Sequence, residues 1–259
     1  MTLDLWVAKH PYLEPMARLD ADVDREIAGI ALGTASVPDW DAYLADYVAG
    51  VPVLESQSVA IDLAPVEKAL VVVAGRLASL PGALRAEAEA LDAEFRTADA
   101  PSSVLPHASS GLRRYLSSRL LSRYLSPLVD AFGAWRQEER WLRHYCPVCG
   151  SAPAMAQLVG VDPGFLRLLA CGCCGYRWRY RRTGCPFCRN EDDHRLGVIA
   201  VEGEGGLRID YCDQCGGYLK TYQGQGSEMV LLADWTSLQL DMVALDRGLK
   251  RVAASVYEV

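Results

Sequence analysis

All nine cysteines of this 259-residue chain fall between positions 146 and 215, and the first 145 residues hold none. Eight of them form four Cys-x-x-Cys pairs: Cys146-Pro-Val-Cys149, Cys171-Gly-Cys-Cys174, Cys185-Pro-Phe-Cys188 and Cys212-Asp-Gln-Cys215. Two intervening residues let a tight turn aim both sulfurs at one point, and two such turns complete a tetrahedral four-thiolate site for zinc or iron. One pair alone would be shared with thioredoxin-like redox motifs. Four of them predict two metal sites. In a reducing compartment such crowding favours metal or redox chemistry over structural disulfides.

An internal repeat suggests which pairs go together. Cys149 to Cys171 encloses 21 residues and Cys188 to Cys212 encloses 23. Each stretch opens on Cys-Pro-x-Cys and crosses a Gly-containing turn (Asp162-Pro163-Gly164; Gly203-Glu204-Gly205-Gly206). Each then closes on Cys-x-x-Cys-Gly with a tyrosine nearby, Tyr176 or Tyr218. A duplicated unit should be complete, so Cys146 and Cys149 are paired with Cys171 and Cys174, and Cys185 and Cys188 with Cys212 and Cys215; an interleaved arrangement is the alternative. Cys173 then aligns with Gln214, a non-ligand place, and is either a spare thiol or a reactive one beside the metal.

Between the knuckles the pattern is that of short strands: Met155–Val161, Phe165–Ala170, Tyr176–Arg182, Arg195–Val201, Leu207–Tyr211 and Gly217–Tyr222. Two such rubredoxin-like or zinc-ribbon units are each too small to fold without metal. Leu238, Met242, Leu245, Leu249 and Val252 mark a final helix, with Asp234 placed to cap it, whose apolar stripe should pack near the ribbons or on the first half.

The first half reads as helices. Met16, Leu19, Val23, Ile27 and Ile30 share a face, as do Trp40, Tyr43, Leu44, Tyr47 and Val48 between Pro38-Asp39 and Gly50. Leu63, Val66, Leu70, Val73, Leu77 and Leu80 form a third, with Asp62 as its cap, and Leu84, Ala88, Leu91 and Phe95 a fourth. A fifth stretch, from about Ser109 to Tyr145, must be kinked or broken at Pro127. These apolar positions read as core. His10, His107 and His144 read as isolated loop or surface residues, and no partnered nucleophile, phosphate loop or carboxylate pair stands out. The expected architecture is α+β: an all-helical domain over residues 1–142, rubredoxin-like units over 143–183 and 184–227, and a strand and helix over 228–259.

The formal net charge of -7 opposes bulk binding to nucleic acid. Residues 1–145 hold 14 basic and 20 acidic side chains and residues 146–259 hold 12 and 13, while Phe165 to Asn190 contains six arginines and no acid. On a strand, Arg177, Arg179 and Arg181 share one face and Trp178 and Tyr180 the other. These arginines can offset the charge of a thiolate-bound metal, dock an acidic partner, or contact nucleic acid. Strand alternation weakens the last role, because stacking and phosphate contact belong on one face. The apolar run from Ala69 to Gly75 stops at Arg76, far short of the ~20 residues of a membrane span. The opening Met1-Thr-Leu-Asp-Leu-Trp lacks a signal-peptide pattern, so a cytoplasmic protein is expected.

The four knuckles, with Cys146-Pro-Val-Cys-Gly-Ser151, Cys171 to Trp178, Cys185 to Cys188, and Cys212-Asp-Gln-Cys-Gly-Gly-Tyr-Leu-Lys220 followed by Leu232-Ala-Asp-Trp-Thr-Ser-Leu238 and Asp241, resemble the FdhE family of formate dehydrogenase accessory proteins. The resemblance implies a cytoplasmic assembly factor and not an enzyme, one that contacts the catalytic subunit of respiratory formate dehydrogenase. It further implies that Cys146, Cys149, Cys171, Cys174, Cys185, Cys188, Cys212 and Cys215 ligate two iron ions, one per four-cysteine site; the four-thiolate pattern itself admits zinc. Cys173 departs from the family pattern. A rubredoxin-like electron carrier, a zinc-ribbon nucleic-acid binder and, more weakly, a thiol oxidoreductase are the competing expectations.

Overall fold

A computed structural model describes residues 2–82, 84–97, 104–105, 111–160, 164–204, 206–224 and 233–253. Met1, His107, Ser109, Val161, Asp162, Pro163, Gly205 and Leu232, named above, lie outside them. The helices are α1 (Leu3–Lys9), α2 (Glu14–Ala28), α3 (Trp40–Ala49), α4 (Ala64–Ser79), α5 (Arg85–Phe95), α6 (Gly111–Trp135) and α7 (Leu238–Asp246). The strands are β1 (Pro153–Val159), β2 (Leu166–Cys171), β3 (Arg177–Tyr180), β4 (Leu196–Ala200), β5 (Leu207–Cys212), β6 (Gly217–Gln223) and the two-residue β7 (Lys250–Arg251).

The helices form where periodicity and end signals coincide. Asp39 accepts from the Asp41 amide at 3.0 Å to start α3. Asp62 is not the cap of α4, whose N-cap is Leu63 without a side-chain bond; it instead turns the chain one residue earlier by accepting from the Ala64 amide at 2.9 Å. Not every expected face is buried: Tyr43 and Tyr47 are, whereas Leu44 and Val48 stay exposed on the flank of α3. α6 runs unbroken through Pro127. That proline sits on the exposed side of the helix, as does Arg123, whose carbonyl loses its donor to the proline ring and can turn to water.

The two ribbon units fuse into one seven-stranded sheet of order β3-β2-β1-β6-β5-β4, with β7 beside β6. Within each unit the strands are antiparallel, and the units join through a parallel pairing of β1 with β6, in register at Met155 and Lys220. The last strand of one repeat therefore meets the first strand of the other, a head-to-tail junction. Alternation along the strands gives the sheet two buried faces. Ala156, Leu169, Trp178 and Leu219 enter the main core with α2 to α6. Met155, Ile199, Ile209 and Tyr218 enter a second core with Trp6, Leu13, Trp235, Leu240 and Ala244, so α1 and α7 cover the other face.

The C-terminal helix differs from its sequence reading. Met242, Leu245 and Val252 are exposed, and the side turned to the sheet carries Leu240, Asp241 and Ala244. Asp234 makes no side-chain cap; it opens a 3-10 turn, Asp234–Ser237, and is buried in an ion-pair network. His10 is also buried, held between the Trp6 carbonyl and the Glu204 carboxylate at 3.1 Å each. Among the described residues no helix is long and apolar enough to cross a membrane.

Candidate metal centres

Each knuckle is a tight turn, and three of the four are closed by a backbone bond back to the first cysteine. Gly150 N–H donates to the Cys146 carbonyl at 2.9 Å, Arg189 N–H to that of Cys185 at 3.0 Å, and Gly216 N–H to that of Cys212 at 2.8 Å. The donor residue needs the left-handed region, with φ of 75° at Gly150 and 68° at Gly216. In the third knuckle Arg189 takes this place at φ 63°, the sole non-glycine with positive φ among the described residues.

These turns group the thiols by repeat unit and not in interleaved fashion. The Sγ atoms of Cys146, Cys149, Cys171 and Cys174 lie within 4.8 Å of one another, as do those of Cys185, Cys188, Cys212 and Cys215. Separations across the two knuckles are 3.4 Å between Cys149 and Cys171 and 3.5 Å between Cys146 and Cys174. In the second group they are 3.7 Å, for Cys185 with Cys215 and Cys188 with Cys212. A tetrahedral centre with metal–sulfur bonds of ~2.3 Å has edges of about 3.8 Å, so both clusters can hold zinc or iron. These separations are too long for disulfides. Cys173 is buried outside the first tetrad, with its amide donating to the Cys171 sulfur at 3.3 Å. Asp192, Asp193 and His194 also come together, but all three are exposed and Asp192 serves to cap its own turn.

The donor chemistry suits a metal. Amides of Phe187 and Gly217 point at the sulfurs of Cys185 and Cys215 at 3.4 Å, and the Asn190 side chain reaches Cys212 Sγ at 3.8 Å; such donors favour thiolate. The buried thiols crowd one another. Burial pushes Cys146 well up, hydrogen bonding from Cys146 pulls Cys171 down to about 6, and burial drives Cys185 up to about 12. Four thiols with such opposed demands are relieved together when a cation replaces their protons.

The two centres differ in access. The first belongs to the main core: Tyr176 packs on Phe132 at 5.2 Å, and the amides of Val53 and Leu54 donate to the Pro147 and Val148 carbonyls at 2.9 Å. All four of its cysteines are buried, whereas Cys188 and Cys215 of the second site are partly exposed. On β3, Arg177 and Arg179 are half-buried and Trp178 and Tyr180 buried, while Arg181, one residue past the strand, is exposed. Arg177 donates to Gln157 Oε1 at 2.6 Å, and Arg181 ion-pairs with Glu191.

Sequence reasoning missed the cluster in which Lys220 and Arg251 meet Asp234 and Asp241. Its trace is the lysine and the two acids spaced among apolar residues in β6 and around α7, a pattern that surface positions share.

No family model matches the chain. Among curated proteins it is 31% identical over 158 residues to a protein named FdhE homolog from Aquifex aeolicus, covering 58% of this chain and 56% of that one. It is 31% identical over 166 residues to an FdhE homolog of Stutzerimonas stutzeri, covering 60% and 49%. With protein FdhE of Escherichia coli it shares 34% over 136 residues, 51% and 43%. The chain thus spans about half the length of the curated relatives it matches. The crystal structure of the FdhE protein from Pseudomonas aeruginosa superposes with a TM-score of 0.64 over 94% of this chain and 89% of that one, at 20% identity, a likeness of fold. The chain is therefore similar to FdhE proteins, in sequence across about half its length and in fold across nearly all of it.

Proposed function

We propose that this chain is a cytoplasmic accessory factor for respiratory formate dehydrogenase, not itself an enzyme, which binds the catalytic subunit and holds one iron ion in each four-cysteine site. The observation that carries the reading is the pair of four-thiol clusters in a chain similar to FdhE proteins. In this reading all eight knuckle cysteines are ligands. The first centre, enclosed in the main core, fastens the sheet to the helices. The second, with Cys188 and Cys215 partly exposed, is the one that can meet a partner. Arg177, Arg179 and Arg181 form the docking stripe for acidic groups of that partner, Arg181 by exchanging Glu191 for a partner carboxylate. Zinc would fit both tetrads equally well by geometry and would make them folding staples without redox chemistry.

The test is formate-dependent dye reduction in the host after deletion of this gene, with another respiratory dehydrogenase assayed as control. The reading expects loss of formate oxidation alone, restored by the intact gene. Unchanged formate oxidation would overturn it. The exposed rim of the second site supports one other reading, a rubredoxin-like electron carrier, which requires iron and a reversible one-electron couple.

A further inference from the structure

The segment leading into the first knuckle and the segment leaving the third together line a cavity of about 630 Å³. Its charged wall is made of Arg143, Arg181, Arg189 and Glu191, with His144 and Tyr180 beside them. None of the knuckle thiols lines it. Arg181 is matched by Glu191, its ion-pair partner. Two guanidiniums, Arg143 and Arg189, are therefore left without a carboxylate among the described lining residues.

Arg143 is anchored without being neutralised. Its Nη2 donates to the Ala49 and Val48 carbonyls at the end of α3, at 2.9 and 3.4 Å, and its guanidinium lies 5.6 Å from the Trp141 ring. It packs so closely on Gly50 that a Cβ there would overlap it. Arg189 is the unusual residue. It holds φ at 63° where the first and fourth knuckles use glycine, and backbone strain of this kind clusters at functional sites. Its exposed side chain makes no hydrogen bond or ion pair among the described residues, so no sulfur of the adjacent centre accepts from it. The charges of Arg189 and Arg143 both reach His144, and those of Arg189 and Arg181 reach Tyr180, so the cations converge. The His144 ring packs edge-on against Tyr145 at 5.1 Å, and its nitrogens have no hydrogen bond among the described residues.

We propose that this cavity binds a dianionic phosphate group, held by Arg143 and Arg189 with the His144 N–H as a neutral donor. Two uncompensated cations match a dianion, and guanidinium forks pair with phosphate oxygens in bidentate fashion. The donors are within reach of solvent, since Arg189 is exposed and Arg143 and His144 are half-buried. The volume exceeds what a phosphate group needs and falls in the range of small-molecule sites, so an organic body would have Tyr145 and Tyr180 as its aromatic wall. Two sources share this chemistry, inorganic phosphate and a phosphate monoester. The Arg181–Glu191 pair stays intact at the rim, so the site is separate from the docking role given to Arg181 above.

The test is calorimetric titration of the purified, metal-containing protein at low salt and about pH 8, where the phosphate is a dianion. The probes are phenyl phosphate, inorganic phosphate, benzoate and the blocked dipeptide acetyl-Glu-Glu-amide. Phenyl phosphate should bind with a dissociation constant below about 1 mM and at least about tenfold more tightly than benzoate or the dipeptide. Arg189→Gly restores the residue that the other knuckles use, so its fold and both metal ions should be retained. It should nevertheless weaken phenyl phosphate about tenfold or more. Phenyl phosphate tighter than inorganic phosphate would identify a monoester as the source, and parity the free ion; either supports the site. No phosphate binding, benzoate binding as tightly as phenyl phosphate, or an indifferent Arg189→Gly would each overturn it. So would a dipeptide that binds as tightly as phenyl phosphate, which would make the cavity a docking face for acidic polypeptide.

Discussion

Lys220 on β6 and Asp241 on α7 form an ion pair of 2.7 Å with side chains 1% and 2% exposed. The same ammonium lies 2.7 Å from Asp234, and Arg251 on β7 bridges both acids at 2.7 and 2.9 Å. Tyr218 donates to Asp241 at 2.7 Å. The Tyr218-Leu-Lys220 and Ala233-Asp234 segments that carried part of the family resemblance are thus two sides of one buried network, which fastens the C-terminal segment to the sheet. Lys220→Met would leave two buried carboxylates to a single arginine. The expected cost is about 3–5 kcal/mol, read as a lowered urea midpoint with metal content unchanged.

The network also sets a pH dependence. Burial alone opposes ionisation of Asp234, but Lys220 and Arg251 override it and hold the carboxyl well below the usual carboxylate range. A depressed carboxylate stabilises the fold above the unfolded value of ~3.9, and that stabilisation is lost as pH falls from there through the folded value. Thermal melts from pH 7 to pH 3 should show the wild type losing stability more steeply below about pH 4 than Asp234→Asn, which starts lower at pH 7.

Arg189 occupies a backbone position that glycine fills in the first and fourth knuckles. The left-handed conformation costs an L residue about 1 kcal/mol, partly offset by glycine's freedom when unfolded. Arg189→Gly should therefore leave stability unchanged or raise it by up to about 1 kcal/mol. Gly150→Ala should lower it by at least about that much, because its new Cβ also meets the Glu55 carboxylate. Paired denaturation curves check both signs.

The unequal burial of the two centres predicts unequal metal release. A chelator in excess should strip the protein in two phases, the fast one from the site whose Cys188 and Cys215 are partly exposed and the slow one from the site enclosed in the core. Cys188→Ser should abolish the fast phase and spare the slow one. A single phase in the wild type would contradict the structural asymmetry.

The strands and most helices were legible because local signals agreed: alternation in Leu207–Cys212, and the three-and-four spacing of Val66, Leu70, Val73 and Leu77. The knuckle turns were legible because their spacing leaves few alternatives. Three features were not. α1 is seven residues long, and its one buried residue, Trp6, is held by a bond to the Thr236 carbonyl 230 positions away. The outward stripe of Met242 and Leu245 and the inward Asp241 invert the usual pattern, since the buried network is complete only when β6, α7 and β7 meet. The parallel β1–β6 junction is long-range pairing, about which neither strand's own alternation says anything.

Two complete four-thiol sites, grouped by repeat unit, should each hold one metal ion. Native mass spectrometry of the purified protein and its cysteine-to-serine variants tests this most directly. Two metal ions are expected in the wild type and in Cys173→Ser. One is expected in Cys146→Ser, in Cys174→Ser and in their double variant, and none when Cys146→Ser is combined with Cys212→Ser. A wild type with a single ion, loss of metal in Cys173→Ser, or loss of both ions in the Cys146→Ser and Cys174→Ser double variant would contradict this arrangement.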